Sequence, residues 1–392
     1  MVYLLLILSL AQALRKYPLT QLEDSNEVNG KGKISEAQGL FSIQLKVGNP
    51  PQNITAVICM SQQKEIVIPV INGKNENNFT FFNISNSSTY SVINSKGTFK
   101  GKSAVIANET IAFDDIKVEG QKFFIVDIND SPNQQNATLP LYFDINGDST
   151  SFLNSIFSNQ SIDDYSFTID LYEETLLIGE IFNPNDANDP IVYVDIDPLT
   201  WTTYLEMIEV NFTIIANYTL EENQKTPLDA AKVNFAIEYP YITGPEKEID
   251  EILSLIKHDK NCNDNICACD EVFTGYFNFT ITFNNQTISV EPHSYLALDN
   301  GNCTILITKG TQWTFGLPFF REFLGYFNFK NNTAVFFRHP HNEGIIRSLI
   351  IIICSMALAI LFMGFIFMCT RYLVLKKNEQ RENENRYNRY YG

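Results

Sequence analysis

The chain has 392 residues, 45% of them hydrophobic, and carries a formal net charge of −17. An acidic surface repels nucleic acid and acidic membranes, so neither is an expected partner, and we interpret the charge as solubilising. The roughly 330 residues between the two apolar ends are too many for one ordinary core, so two lobes are expected.

Residues 1–13 have the form of a secretory signal peptide. The apolar run Val2 to Leu10 is too short to cross a bilayer and is followed by Ala11-Gln12-Ala13, whose small residues suit signal peptidase. The sequence therefore predicts cleavage after Ala13, and a strand of the core is the alternative interpretation.

Helical periodicity is scarce between the two apolar ends of the chain, and short runs of alternating apolar and polar residues dominate. Turn clusters rich in Asn, Gly, Asp and Pro separate these runs, a pattern typical of an all-β protein. The runs most typical of strands are Phe41–Val47, Phe123–Val126, Tyr165–Leu171 and Phe277–Phe283. One helix is predicted over Glu246–Ile256, where Ile249, Ile252, Leu253 and Ile256 share one face.

Five cysteines precede the last apolar segment: Cys59, Cys262, Cys267, Cys269 and Cys303. In an oxidising compartment four of them can pair, and we expect the disulfides to involve Cys262, Cys267, Cys269 and Cys303. The proximity of His258 to this cluster makes a zinc site the alternative, but no metal and no cofactor is expected.

The C-terminal region contains the clearest membrane segment. The 23 residues Ser348–Thr370 contain no charge, and as a helix they rise about 34 Å, enough for a hydrocarbon core of about 30 Å. Six basic residues follow and only two closely precede it, which predicts a cytosolic tail, residues 371–392, and a single-pass type I arrangement. The expected localisation is the secretory pathway or the cell surface, with the ectodomain lumenal or extracellular.

The segment expected to be lumenal contains many Asn-x-Ser/Thr sequons, which makes it a candidate for glycosylation. The candidate asparagines are Asn53, Asn78, Asn83, Asn108, Asn136, Asn159, Asn211, Asn217, Asn278, Asn285, Asn302 and Asn331.

Several segments follow, in order, the motifs of one family. Val47-Gly-Asn-Pro-Pro-Gln52 is similar to I-G-T-P-P-Q, and Phe82–Tyr90 is similar to F-x-P-x-x-S-S-T-Y. Thr243-Gly-Pro245 matches residues that follow a second active-site loop, and Trp313–Arg321 resembles W-I-L-G-D-x-F-L-R. On these motifs the chain resembles the pepsin-like aspartic proteases over about residues 38–338.

The resemblance implies an all-β, two-lobed pepsin-like (acid protease) fold, with lobes at about 38–198 and 199–340 and a cleft between them. Residues 14–37 then correspond to a short prosegment-like region, since Leu14–Leu19 resembles the start of the family's inhibitory prosegment. One C-terminal transmembrane helix would complete the chain.

The catalytic carboxylates that the family needs are missing from the matching positions. Family spacing from Gly48 leads to Cys59, although the downstream strand permits Met60 instead, and no Asp or Glu occurs from Ala37 to Lys64. In the second loop, counting back from Pro245 leads to Ala236, with Glu238 at the place of the family's glycine. Two carboxylates sharing one proton activate water in this chemistry, so the sequence predicts an inactive protein.

The segment that matches the family's flap also differs from the family pattern. Asn94 stands at the place of the flap tyrosine, while Gly97 keeps a flap glycine. Ser61, Gly97 and Glu238 are the candidate residues of a binding cleft. Two other chemistries remain as hypotheses: Cys59 as a nucleophile, which needs a nearby base, and Glu238 with Glu65 as a displaced pair.

These patterns support three functions. The first is a membrane-anchored, catalytically inactive ectodomain whose interlobe cleft binds an extended peptide or a protein. The second is an active aspartic endopeptidase, which family membership alone suggests. The third is a surface glycoprotein with a structural or adhesive role.

Overall fold

The computed structural model describes most of the region between residues 15 and 338 and a short segment near the C-terminus. The described residues are 15–21, 41–60, 66–70, 81–99, 102–113, 116–127, 136–143, 151–159, 164–179, 188–218, 231–270, 272–299, 301–338, 368, 370–378 and 380–381. The chain divides into two units, Met1–His339 and Pro340–Gly392.

Strands make up most of the described part of the first unit. In the N-terminal half they are β1 Arg15–Pro18, β2 Thr20–Gln21, β3 Phe41–Val47, β4 Gln52–Cys59, β5 Val67–Val70, β6 Ser91–Phe99, β7 Lys102–Phe113, β8 Ile116–Asp127, β9 Ala137–Pro140, β10 Ser166–Asp170, β11 Thr175–Ile178 and β12 Asn188–Asp195. In the C-terminal half they are β13 Thr202–Tyr204, β14 Met207–Val210, β15 Thr213–Asn217, β16 Lys232–Phe235, β17 Ile242–Pro245, β18 Cys262–Asn263, β19 Ile266–Ala268, β20 Phe279–Phe283, β21 Gln286–Val290, β22 Leu296–Asp299, β23 Asn302–Ile305, β24 Ile307–Gly310, β25 Trp313–Phe315, β26 Phe323–Asn328 and β27 Thr333–Arg338.

Helices are few and short in the described part of this unit. They are α1 Phe152–Asn159, α2 Glu246–Ile256, α3 Pro292–Tyr295 and α4 Leu317–Glu322, with a 3₁₀ turn at Ile84–Asn86. Helix α2 begins directly after Pro245, which cannot donate a backbone hydrogen bond and therefore suits a helix start. Its buried residues Ile249, Ile252 and Ile256 hold it against the core.

Each half contains a sheet with the same internal pattern. In the eight-stranded sheet β2-β3-β4-β9-β5-β8-β7-β6, β4 is parallel to β9, β9 is antiparallel to β5, and β5 is parallel to β8. In the five-stranded sheet β13-β16-β25-β17-β24, β16, β25, β17 and β24 repeat that sequence of parallel, antiparallel and parallel pairings. The fold therefore consists of two lobes with one repeated arrangement.

A six-stranded sheet joins the two halves. Its order is β1-β11-β10-β26-β27-β12, so the last two strands of the unit lie between strands of its N-terminal half. Aromatic rings pack against it: Phe167 stacks on Phe327 at 4.9 Å, and Trp201 meets both rings edge-on at 5.3 Å. Two four-stranded sheets, β15-β14-β20-β21 and β18-β19-β23-β22, complete the C-terminal half.

The structure confirms the predicted fold class and elements. Strand β3 and helix α2 have the predicted bounds, the runs at 165–171 and 277–283 contain β10 and β20, and the run at 123–126 lies within the longer β8. Arg15–Pro18 forms β1, which pairs antiparallel with β11 at an edge of the six-stranded sheet.

Residues 371–378 of the second unit are helical. Within the described part of the chain, no helix has both the length and the apolar character needed to cross a membrane. The proposed span Ser348–Thr370 lies outside the described residues except for Met368 and Thr370, and residues 1–13 lie outside them as well.

Candidate functional site

The first loop follows β4, which carries the chain into the centre of the N-terminal lobe. Cys59, the last residue of β4, is buried, and its carbonyl oxygen accepts a hydrogen bond of 2.8 Å from the N–H of Leu141. Met60 is buried beside it. Ser61 and Glu65 lie outside the described residues, so the structure places neither of them.

The second loop follows β16 and turns tightly. Ala236 and Ile237 are buried, and the N–H of Tyr239 donates 3.0 Å to the carbonyl of Ala236. The carbonyl of Tyr239 in turn accepts 2.7 Å from the N–H of Leu317, which ties the loop to the start of α4.

Gly316 permits this close approach of loop and helix. A Cβ atom at this position would lie 2.2 Å from the carbonyl oxygen of Tyr239 and 2.5 Å from that of Tyr241. Real Cβ atoms do not come so close to backbone, so any larger residue would force the loop away from α4. The glycine of the Trp313–Arg321 motif thus has a structural role that does not depend on catalysis.

The two loops meet. The Oε2 atom of Glu238 accepts a hydrogen bond of 3.0 Å from the N–H of Met60, across 178 residues of sequence. The indole N–H of Trp201 donates a hydrogen bond of 2.8 Å to the carbonyl of Leu141. The N–H of Leu141 is the group that donates to the carbonyl of Cys59. The carboxylate of Glu238 therefore reaches from one lobe to the backbone of the other.

The strand registers relate the two loops to each other. In each lobe, the strand before the loop and the strand after it both pair with one central strand, which is β9 in the first lobe and β25 in the second. On this central strand, the residue that pairs with the strand after the loop directly precedes the residue that pairs with the position before the candidate dyad residue. The pairs are Ile58↔Leu139 and Val67↔Thr138 in one lobe, and Phe235↔Phe315 and Thr243↔Thr314 in the other. This correspondence also matches Pro69 with Pro245, and it makes Cys59, rather than Met60, the counterpart of Ala236. The first loop is then one residue longer than the second.

The hairpin β6–β7 contains both candidate flap residues. Asn94 is exposed and pairs with Ile106, while Gly97 pairs with Ala104, and the register shifts between them. The hairpin thus carries a bulge between the two positions.

Tyr239 borders both the second loop and a polar pocket on the adjoining sheet. Burial raises the pKa of its hydroxyl above the ordinary value, and the nearby carboxylate of Glu238 raises it further. The phenol therefore stays neutral and can donate or accept a hydrogen bond.

The cysteine prediction is confirmed, and the pairing is now known. Cys262 is bonded to Cys267, and Cys269 is bonded to Cys303. These four residues are therefore not available as thiolate ligands for zinc, and no cluster of three or more metal-binding side chains occurs among the described residues. Of the described cysteines, Cys59 is the one outside a disulfide.

Each of the two described histidines lies beside a carboxylate. The Nδ1 atom of His258 lies 2.9 Å from Asp259, and that of His293 lies 3.6 Å from Glu291. His339 and His341 lie outside the described residues. The printed ion-pair partners of both described histidines are thus neighbouring carboxylates, and the cysteine nucleophile stays a hypothesis.

Most of the sequon asparagines are exposed. Exposed side chains are those of Asn53, Asn83, Asn211, Asn217, Asn278, Asn285, Asn302 and Asn331, and half-buried ones are those of Asn108 and Asn136. Asn78 and the side chain of Asn159 lie outside the described set.

Comparison with known families agrees with the fold. The family model for eukaryotic aspartyl proteases matches residues 41–338. The chain belongs to this pepsin-like family, as its motifs predict. A search of the curated proteins found no match.

Proposed function

We propose that this chain is a catalytically inactive member of the aspartyl protease family that binds an extended peptide or a protein segment between its lobes. One observation carries the proposal: Cys59 and Ala236 occupy the ends of the two equivalent strands, yet the loops that follow still meet through Glu238 and Met60. The scaffold of the site is kept while the groups that do the chemistry are replaced.

The replaced groups cannot perform the family's reaction. Aspartic proteases use two carboxylates that share one proton, one acting as base and the other as acid on a bound water. The methyl group of Ala236 has no proton to exchange. Glu238 brings one carboxylate to the same region, but one of its oxygens accepts the N–H of Met60.

Binding has fewer requirements than catalysis. An extended peptide can pair through its backbone with exposed strand edges, and pockets for its side chains give specificity. The hairpin β6–β7 and the pocket beside Tyr239 provide an edge and a pocket of this kind. Neither needs the carboxylate pair.

The proposed setting is a membrane of the secretory pathway or the cell surface. The two disulfides support an oxidising compartment, because such bonds persist outside the cytosol. The apolar segment Ser348–Thr370 would anchor the chain, with residues 371–392 in the cytosol. Eight exposed sequon asparagines suit a glycosylated ectodomain and also favour the second candidate, a surface glycoprotein with an adhesive role.

Two measurements on the full-length protein in detergent test the proposal. First, we expect no cleavage of an unfolded generic protein substrate between pH 3 and 5. Cleavage that a statine-type inhibitor blocks would establish the active endopeptidase instead. Second, we expect binding to a subset of an octapeptide array, with and without enzymatic removal of glycans. If no octapeptide bound, the adhesive alternative would replace the binding function.

A further inference from the structure

A polar pocket of about 510 Å³ lies on one face of the sheet β13-β16-β25-β17-β24. This volume falls within the ~300–1,000 Å³ of typical ligand sites. Apart from Gly310, every lining residue carries a hydroxyl, amide or ammonium group. Such a lining suits a polar guest rather than an apolar side chain.

The strand registers build the polar lining. Thr202 pairs with Asn234, Asn234 with Thr314, and Thr314 with Thr243, so one row of polar side chains crosses four strands. Because side chains alternate between the faces of a strand, the intervening residues turn to the core. Those residues are Val233, Phe235, Trp313 and Phe315, and all four are fully buried.

Gly310 keeps the pocket open on the side of β24. A Cβ atom there would lie 3.1 Å from both the Cβ and the Oγ1 of Thr243, so a side chain would crowd the row. The hydroxyl of Thr243 itself donates to the carbonyl of Gln312 at 3.3 Å.

The two lysines of the pocket differ in their surroundings. The ammonium of Lys309 lies 2.9 Å from both Glu246 and Asp250, so its charge is already balanced. Lys232 lies two residues before Asn234 on the same face and is half-buried. It makes no ion pair and no side-chain hydrogen bond with any residue that the structure describes. Asp197, which is hydrogen-bonded to the lining residue Thr200, accepts from the hydroxyl of Thr200 at 2.8 Å and from the N–H of Leu199 at 2.9 Å.

The pocket adjoins the meeting point of the two loops. Tyr239 lines it, and the preceding residue, Glu238, contacts Met60 of the other lobe. We propose that this pocket takes a carboxylate of the bound peptide, with the ammonium of Lys232 as its ion-pair partner and the hydroxyl of Thr314 and the amide of Asn234 as donors. The inference rests on the proposed peptide-binding function and names the chemistry that the site selects.

The carboxylate has two sources, an Asp or Glu side chain or the C-terminus of a peptide. The probes are octapeptides that bind on the array. In one series of variants, each Glu is changed to Gln, or each Asp to Asn, one residue at a time. In a second series, the free C-terminus is replaced by an amide. Fluorescence anisotropy with the full-length protein measures the affinities. We expect one of these neutral replacements to weaken binding about tenfold, as for the loss of a partly desolvated charge pair.

Lys232 variants decide whether that loss belongs to this pocket. Lys232→Gln should remove the preference for the carboxylate, Lys232→Arg should keep it, and Lys232→Glu should favour a peptide with Lys at the same position. Lys309→Gln, whose ammonium is held by two acids, is the matched control and should change the preference less than twofold. An unchanged thermal midpoint in each variant establishes folding.

The outcomes separate this inference from the function on which it rests. If octapeptides bind but neutral replacement has no effect, or the preference survives in Lys232→Gln and Lys232→Glu, the inference is wrong and the binding function stands. If no octapeptide binds, the proposed function itself fails.

Discussion

Glu238 makes a side-chain contact that joins the two loops. Its carboxylate accepts a hydrogen bond of 3.0 Å from the backbone N–H of Met60 in the other lobe. Hydrogen bonds to charged groups contribute about 1.5–3 kcal/mol each to stability when partly buried. This hydrogen bond between the loops is therefore expected to stabilise the first unit.

We expect Glu238→Ala to lower the free energy of unfolding by about 2 kcal/mol, because the N–H of Met60 loses its charged acceptor. Glu238→Gln keeps an acceptor without the charge and should cost about 1 kcal/mol. Urea unfolding followed by tryptophan fluorescence measures both. Glu209→Ala, a half-buried glutamate without a side-chain hydrogen bond to described residues, is the control and should cost about 0.5 kcal/mol or less. Equal losses of unfolding free energy in Glu209→Ala and Glu238→Ala would show that the hydrogen bond between Met60 and Glu238 contributes nothing to stability.

The strands and helices were predictable to the extent that their information is local. Strand β3 and helix α2 agree residue for residue with prediction because their apolar residues follow periods of two and 3.6. The contact between Glu238 and Met60 was not predictable, since nothing local connects residues 178 positions apart. The same holds for the polar row of the pocket: Asn234 and Thr314 become neighbours only through the parallel pairing of β16 and β25.

The disulfides are a further case: the sequence predicts which cysteines form them but not which cysteine pairs with which. Four cysteines permit three pairings. The structure selects one bond that closes the hairpin β18–β19 and another that fastens the segment after β19 to β23. The first joins residues 5 apart in sequence and the second residues 34 apart, so the two bonds restrict the unfolded chain to different extents.

We expect the loss of the longer link to be the more damaging. By loop-closure entropy, removing Cys269–Cys303 with a double Ala substitution should cost about 4 kcal/mol, and removing Cys262–Cys267 about 2 kcal/mol. Thermal unfolding of the full-length protein without reductant compares the two double variants directly. A larger loss for the Cys262–Cys267 variant would mean that local packing, rather than chain entropy, controls this sheet.

At the scale of the whole molecule, the six-stranded sheet makes the two lobes a connected structure. Strand β10 lies next to β26 and β12 next to β27, so strands far apart in sequence share one sheet. Local losses should therefore affect the unfolding of the entire first unit. Several tyrosines lie within this structure with hydroxyls whose pKa burial raises, among them Tyr218, Tyr239, Tyr295 and Tyr326.

These tyrosines predict a loss of stability in alkali. The largest effect is at Tyr295, where burial raises the pKa well above its usual value of about 10. Above pH 10 the unfolded chain releases the tyrosine proton while the folded chain keeps it, so the free energy of unfolding falls as pH rises. Each such tyrosine contributes up to about 1.4 kcal/mol per pH unit.

Tyr295→Phe isolates one contribution. The variant loses the 2.6 Å hydrogen bond to the carbonyl of Phe277, so it should be about 1 kcal/mol less stable at pH 8. Because it has no proton to retain, its stability should decline less steeply between pH 10 and 11.5, and the two curves should converge. Urea unfolding at half-unit pH steps measures this. If the exposed Tyr204→Phe flattened the slope as much as Tyr295→Phe, the buried hydroxyl would not be the cause.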